Sequence, residues 1–276
     1  MKKLILAAAM AAISAPAYAA DYTMAPVATT SGNACSGHIE AYAGDTHLTG
    51  NGGGGDAWAY GGAARANCNF NARWNAQGDL MVDGLSSQSS GSDLTSYGGA
   101  VHVYWRDPSA YALGGFASLE GFGGSSGLND VYRYLIGPEG QVYMGNVTLY
   151  GQTYYGQLTD GNSGYDIWGA RGVVRYFARE NIRFDGELGY RNMSVSGGDL
   201  DVFTAAAEAD YRFDNSPVSV FGRYQFDHLT PNSGGSNISL HKFVVGARLS
   251  FGSKTLLDED RNGATMDTIQ PNYIIY

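Results

Sequence analysis

Residues 242–251 read Lys-Phe-Val-Val-Gly-Ala-Arg-Leu-Ser-Phe, and the alternation in this stretch decides the fold class. Successive side chains of a β-strand point to opposite faces. One face of this strand would carry Phe243, Val245, Ala247, Leu249 and Phe251, and the other would carry Lys242, Val244, Gly246, Arg248 and Ser250. A water-soluble protein would cover the apolar face with a second layer of structure. We interpret this face as lipid-facing, which predicts the closing strand of a transmembrane β-barrel.

The end of this stretch is similar to the terminal-strand signal of bacterial outer-membrane proteins, in which a glycine is followed by alternating apolar residues and a final aromatic residue. Gly246, Leu249 and Phe251 match this signal. Val244 stands where a polar residue is usual, and residues 252–276 follow where chains of this kind often end. The resemblance implies that the stretch closes a barrel.

The N-terminus predicts export. Lys2 and Lys3 precede an apolar run, and Ala17-Tyr18-Ala19 offers small residues for cleavage, so we expect a signal peptide over residues 1–19. Removing it leaves 15 basic residues against 26 acidic ones, which argues against a nucleic-acid partner. No other run approaches the ~20 apolar residues of a membrane helix, so a membrane protein of this sequence would have to be a closed barrel.

The two cysteines predict a disulfide in the first hairpin. Cys35 and Cys68 would face each other if a symmetric hairpin turned near Asn51-Gly52, where the glycine-rich run 50–55 lies. An exported protein resides where such a bond persists. We expect the bond to tie the two strands at the ends away from the turn, with two free thiols as the alternative.

Twelve stretches alternate in this way, which predicts an all-β, antiparallel transmembrane barrel of about 12 strands, with 10 as the alternative. The predicted strands are 36–44, 57–67, 74–85, 96–106, 111–122, 131–145, 147–158, 165–178, 182–195, 202–213, 218–228 and the opening stretch. The predicted organisation is a signal peptide 1–19, a linker 20–35, the barrel 36–252 and a periplasmic tail 253–276. A soluble β-sandwich is the alternative, but it would expose its apolar faces.

The connections differ between the two ends of the predicted barrel. Those after even-numbered strands are tight, whereas those after odd-numbered strands are longer and rich in Gly, Ser and Asn (86–94, 123–130, 159–164, 196–201 and 229–237). This asymmetry is typical of outer-membrane barrels. Aromatic residues near the tight turns predict a girdle at that end, made of Trp105, Tyr111, Tyr176, Phe177, Phe184, Tyr211, Phe213 and Phe251.

With its signal peptide and alternating strands, the chain resembles porin-like outer-membrane β-barrels of Gram-negative, alphaproteobacterial type. The phrases Gly61-Gly62-Ala63-Ala64-Arg65 and His102-Val103-Tyr104-Trp105-Arg106-Asp107-Pro108 carry the resemblance, which covers most of residues 36–251. It implies location in the outer membrane and passive diffusion of small solutes. The expected partners are outer-membrane lipids, lipopolysaccharide and the barrel-assembly machinery, and a homo-oligomer is compatible with the resemblance.

Charged residues alternate onto the inner face of the last five strands. The pore-lining candidates are Arg171, Arg175, Asp185, Glu187, Arg191, Glu208, Asp210, Arg212, Arg223, Asp227, Lys242 and Arg248, and Arg183 belongs to the same face. These charges either line a water-filled lumen and select solutes, or pair across strands and plug a narrow barrel. Their basic excess favours anionic solutes. The alternative function is a non-conducting structural or adhesive barrel that acts through its loops.

We expect no enzymatic activity, cofactor or metal. His38, His47, His102, His228 and His241 stand in no Ser-His-acid spacing, and we interpret them as lumen or loop residues. Asp258 to Gly263 fits the first half of a calcium loop, but Ile269 stands where that loop needs an acid. We therefore expect a solvated tail there. The aromatic chain end, Asn272–Tyr276, either engages assembly machinery or folds back on the barrel.

Overall fold

The computed structural model describes residues 35–50, 53–71, 73–88, 93–124, 131–160, 163–195, 198–232 and 234–269. The predicted signal peptide, most of the predicted linker and the chain end 270–276 lie outside the described residues. The strands are β1 (Cys35–Gly50), β2 (Gly53–Asn69), β3 (Trp74–Ser87), β4 (Asp93–Asp107), β5 (Tyr111–Gly124), β6 (Val131–Met144), β7 (Val147–Thr159), β8 (Gly164–Arg179), β9 (Ile182–Val195), β10 (Gly198–Arg212), β11 (Val218–Pro231) and β12 (Ile238–Phe251), and a helix α1 (Leu256–Asn262) follows.

The twelve strands form one closed antiparallel barrel. Each strand pairs with its neighbours in sequence, and β12 closes the ring by pairing with β1, from Gly37 opposite Phe251 to Gly50 opposite Ile238. Closure pairs every strand edge, as hydrocarbon requires of a spanning sheet. The predicted fold class and strand number are therefore confirmed.

The opening stretch behaves as its alternation predicted. Phe243 and Leu249 are 53% and 47% exposed on the outside of β12, whereas Lys242 and Arg248 are buried on the inside. Large apolar side chains are exposed around the outer surface in the same way, among them Leu80 and Leu188. No described part of the chain covers these apolar faces, which is the arrangement of a barrel in lipid.

Both cysteines lie where the symmetric hairpin placed them. Cys35 pairs with Cys68 and Gly50 with Gly53 in the register of β1 and β2, and the two sulfur atoms are bonded. The disulfide prediction is confirmed. It ties the hairpin at the end of the barrel where β12 also ends, which we call the turn end. The opposite end is called the loop end.

Several predictions about the barrel ends were wrong in detail, since β1 and β2 extend beyond the predicted 36–44 and 57–67 and β11 continues to Pro231, inside the predicted loop 229–237. The stretch 196–201 was predicted as a loop, but β10 already begins at Gly198, because the hairpin ladder continues through Asp199 and Leu200 opposite Ser194 and Met193. Phe177 was predicted in the aromatic girdle, but it is fully buried inside the barrel. It packs there against Leu256 and Leu257 of α1, an apolar surface that the sequence did not reveal. Among the described residues, no helix is long and apolar enough to cross a membrane.

Candidate functional site: a charged lumen occupied by the C-terminal segment

All twelve pore-lining candidates lie on the inner face of the barrel, where they alternate with the exposed apolar residues of β8–β12. Most of them form ion pairs with other residues of the wall. Arg183 lies 2.6 Å from Asp210, Arg248 lies 2.7 Å from Glu40, and Lys242 lies 2.7 Å from Asp83. Arg223 links β11 to Glu187 of β9 at 3.0 Å. The wall charges therefore form a network of ion pairs that crosses from strand to strand.

The C-terminal segment (residues 253–269) enters this lumen from the turn end. Thr255 caps α1 by accepting a hydrogen bond from the amide of Asp258, which satisfies an unpaired donor of the first turn. Leu256 and Leu257 are buried, and the backbone N–H of Leu257 donates to the carbonyl of Glu180 at a tight turn. The expectation of a solvated tail was therefore wrong, because the barrel wall supplies partners for both its apolar and its acidic side chains.

Three carboxylates of the C-terminal segment bind basic residues of the wall. Glu259 contacts Arg212 and lies 2.6 Å from Nδ1 of His38. Asp260 lies 2.8 Å from Arg175. Asp267 lies 2.8 Å from Arg65, 2.5 Å from Arg175 and 3.4 Å from Arg171. These carboxylates are the counter-ions of a group of wall arginines that spans β2, β8 and β10.

Neighbouring basic residues lower the pKa values of these three carboxylates. Burial alone would raise the pKa of Glu259, but the contact with His38 and the positive charges of Arg212 and Arg248 outweigh it and hold the pKa well below the ordinary value. The same balance lowers the pKa of Asp260, through Arg175 and Arg261, and that of Asp267, through Arg175, Arg65 and Arg171. All three groups are therefore ionised in the docked segment at neutral pH.

Polar wall residues also bind the backbone of the C-terminal segment. Gln77 both donates to the carbonyl of Met266, at 2.7 Å, and accepts from its amide, at 3.1 Å. Arg106 donates to the carbonyls of Arg261 and Gly263, and Gln141 donates to the carbonyl of Thr265. An extended backbone inside a barrel needs such partners for its peptide groups. The wall thus recognises the path of the segment as well as its charges.

Toward the loop end the lumen becomes partly apolar. The cluster there comprises Phe116, Phe122, Val131, Leu135, Tyr154, Leu158, Ile167 and Met193, and it includes Ile269 of the C-terminal segment. Ile269 buries its side chain against strands β5–β9 and adds an apolar contact to the ionic ones below it. The segment therefore extends from the turn end into the loop-end half of the lumen.

A cavity of about 80 Å³ remains between the C-terminal segment and the wall. Eight of the predicted site residues line it, namely Arg171, Arg175, Asp185, Glu187, Glu208, Arg223, Lys242 and Arg248. The other four do not. Arg212 lies at the turn end, where it contacts Glu259, and Asp210 is ion-paired with Arg183 and Arg248. Arg191 and Asp227 lie toward the loop end.

Sequence reasoning missed the earlier strands and the C-terminal segment as parts of the site. Glu40, Arg65, Asp79, Arg106 and Glu139 are inward charges of β1–β6 that alternate as visibly as the predicted ones. His102 of β4 is wholly buried between Glu139, at 2.7 Å, and Asp79, at 3.5 Å. The stretch Asp258 to Gly263, which fits the first half of a calcium loop, lies mostly in helix α1 (Leu256–Asn262), and Glu259 and Asp260 face basic residues of the wall.

Comparisons with known proteins support the class defined by this fold. No protein-family model and no curated protein matches the sequence. Among solved structures, an outer membrane channel from Pseudomonas putida F1 matches with a TM-score of 0.54 and 13% identity, covering 79% of this chain and 95% of that one. The translocator domain of the autotransporter NalP from Neisseria meningitidis matches with a TM-score of 0.53 and 15% identity, covering 81% and 90%. The β domain of the Bordetella autotransporter BrkA gives 0.50 and 13%, covering 78% and 100%.

The chain is an outer-membrane β-barrel protein. Its location in the outer membrane follows from the closed twelve-stranded barrel with an apolar outer face and from neighbours that are outer-membrane barrels. Since identity to these neighbours is low, they define the fold alone. Both channels and autotransporter domains occur among them, so the fold does not distinguish these functions.

Proposed function

We propose that the protein is an outer-membrane channel for small hydrophilic solutes, with a weak preference for anions, which its own C-terminal segment closes in the conformation described. The observation that carries this proposal is the set of ion pairs between Glu259, Asp260 and Asp267 of the segment and the arginines of the wall. These contacts are polar and can be replaced by water when the segment leaves.

The composition of the wall favours transport over a purely structural role. Buried ion pairs contribute little net stability, because desolvation of both charges offsets their attraction. A barrel that needed only to be stable could fill its lumen with apolar side chains, as the loop-end cluster around Leu135 does. Charged walls instead suit a lumen that becomes hydrated, where rings of charge select among solutes.

The anion preference follows from the wall arginines that lose their counter-ions when the C-terminal segment is released. Docked, its carboxylates neutralise Arg65, Arg171, Arg175 and Arg212. Once the segment is released, these side chains face water without those counter-ions. Farther along the wall, Arg183 and Arg248 keep their own acidic partners, Asp210 and Glu40. The uncovered charge is therefore basic but local, and the preference is weak.

A second function, a non-conducting barrel that acts through its extracellular loops, is favoured by one observation. Ile269 and the buried Met266 anchor the segment on apolar wall residues, and such contacts resist hydration. In this alternative the segment is a permanent part of the barrel core. Lipopolysaccharide and neighbouring proteins would then be met only outside the lumen.

Single-channel recording in planar bilayers separates the two functions. The wild-type protein is compared with the variant Glu259→Gln/Asp260→Asn/Asp267→Asn, which neutralises the three carboxylates that contact the wall without shortening any side chain. We expect rare openings in the wild type and frequent openings in the variant, with reversal potentials in a salt gradient on the anion side. A folded variant that never opens would favour the structural barrel, and cation preference would contradict the proposed selectivity.

A further inference from the structure

Arg191 of β9 is an unusual charge in this lumen. It is 4% exposed, and its Nε and Nη2 atoms are buried without a hydrogen-bond partner. Within the described part of the chain, Arg191 forms no ion pair, whereas Arg171, Arg175 and Arg183 each contact at least one carboxylate. A guanidinium stays protonated in proteins, so this positive charge is not removed by deprotonation.

The carboxylates nearest to Arg191 are engaged by other groups. Asp227 accepts hydrogen bonds from Thr204 and Gln225. Glu120 is bound by Arg133, whose own positive charge opposes that of Arg191. An isolated buried charge is costly unless a counter-charge accompanies it. Asp227 and Glu120 attract Arg191 electrostatically, but among the described residues no carboxylate lies within ion-pair distance of its guanidinium, so the site favours a negative charge in direct contact.

A small cavity lies at this position. It has a volume of about 20 Å³, which exceeds the ~10–15 Å³ that one water-sized species needs. Arg191, Arg171, Tyr154 and Gln225 line it, and Ile269, the last described residue of the C-terminal segment, forms part of its wall. Glu187 is the carboxylate in the lining, and it is held by Arg171 at 3.3 Å and Arg223 at 3.0 Å.

We infer that this cavity binds one small monovalent anion of about the size of chloride, with Arg191 as its main ligand. Water would satisfy hydrogen bonds of Arg191 but would leave its charge uncompensated, whereas an anion does both. The volume suits a species of about the size of a halide ion. The site lies beside Ile269, toward the loop end. An anion bound there would therefore be adjacent to the part of the lumen that the C-terminal segment closes.

This inference deepens the proposed function, since it names a resting place for the solute class that the channel favours. It rests on that function only for the route of the ion. Binding itself is measurable in a barrel that never conducts, because a ligand that binds the folded state raises its stability in proportion to occupancy. A failure of the site and a failure of the channel are therefore separate results.

The test compares thermal unfolding in detergent micelles, followed by circular dichroism, with chloride replacing gluconate at constant ionic strength. We expect the wild-type midpoint to rise with chloride and to saturate. In Arg191→Met the chloride shift should be lost, and in gluconate this variant should be at least as stable as the wild type, because an uncompensated charge has been removed. Arg183→Met is the matched control, which should lower the midpoint but keep the chloride shift.

An equal chloride shift in the wild type and in Arg191→Met would overturn the inference, as would the absence of any shift in the wild type. If Arg191→Met does not fold, bromide-soaked crystals of the wild-type protein test the same point by anomalous scattering. A peak within hydrogen-bond distance of Arg191 is expected. Peaks at surface positions alone, meaning an adventitious ion only, would contradict the site.

Discussion

Oδ1 of Asp260 lies 2.8 Å from Nη1 of Arg175, and both side chains are buried inside the barrel although 85 positions separate them in the chain. The first belongs to helix α1 and the second to strand β8. Their contact joins the C-terminal segment to the barrel wall. In the proposed function, this contact helps to hold the segment in the position that closes the channel.

Replacing Asp260 by Asn should release the C-terminal segment. Arg175 would keep Asp267 at 2.5 Å but lose one of its two buried carboxylate partners, and this loss should cost less than the about 3–5 kcal/mol of a fully broken buried pair. Because undocking restores hydration, we expect the loss to appear as exposure of residues 253–269 while the barrel stays folded. Limited proteolysis with a protease added at the turn end measures this exposure.

Asp258→Asn is the matched control for this variant. Asp258 caps the segment internally, accepting from the amide of Lys254 and from Asn262, and it has no hydrogen bond or ion pair with the described wall. Its replacement should leave the segment protected. Equal cleavage of the two variants would show that the contact with Arg175 does not hold the segment in place.

Docking of the segment should be insensitive to pH from neutral down to moderately acidic conditions. The folded-state pKa values of Glu259, Asp260 and Asp267 are lowered from 4.5, 3.8 and 3.8. Lowered values mean that their contribution is fully present above the ordinary pKa and is lost as the pH falls through the folded-state values. Proteolytic exposure or conductance should therefore change only below about pH 4. Release between pH 5 and 7 would refute this ionic account of docking.

Gly252 should be essential for the entry of the segment into the lumen. Its φ of +77° lies in the left-handed region, and an added Cβ would meet the carbonyl oxygen of Cys35 at 2.6 Å. Gly252→Ala should cost about 1–3 kcal/mol from backbone strain, with the clash in addition. Gly78→Ala is the control, since a Cβ at that position meets nothing within 4 Å. Urea unfolding and proteolysis of the segment should both distinguish the two variants.

Breaking the disulfide should weaken the barrel without opening it. The bond between Cys35 and Cys68 joins paired residues of β1 and β2, and cross-links of this kind contribute about 2–4 kcal/mol. Cys35→Ser/Cys68→Ser should therefore unfold at lower urea concentration than the wild type while keeping the segment protected in native buffer. An unchanged midpoint would mean that the hairpin is fixed by its ladder alone.

The barrel was predictable from the sequence because its determinants are local. Alternation over about ten residues marks each strand, and the spacing of Cys35 and Cys68 around a glycine-rich turn sets the first register. Phe177 shows the limit of this approach, since an inward aromatic residue next to the outward Tyr176 looks like a second girdle residue until Leu256 and Leu257 are placed beside it.

The occupied lumen was not predictable in the same way. The run Asp258-Glu259-Asp260 has the composition of a solvated helix, and its partners His38, Arg175 and Arg212 lie 221, 85 and 47 positions away. Only closure of the barrel brings His38, Arg175 and Arg212 around one axis. The excess of inward arginines over acids in β8–β12 was a signal for missing negative charge, and the C-terminal segment supplies part of it.

The most direct test of the account fixes the C-terminal segment in place and records conductance. Gln141 donates to the carbonyl of Thr265 at 3.1 Å, so cysteines at positions 141 and 265 can be joined by a short thiol-specific cross-linker that reductant cleaves. The wild-type protein with and without reductant controls for the native disulfide. We predict that the cross-linked barrel is silent and that cleavage restores anion-favouring openings. Equal conductance before and after cleavage would contradict closure by the segment.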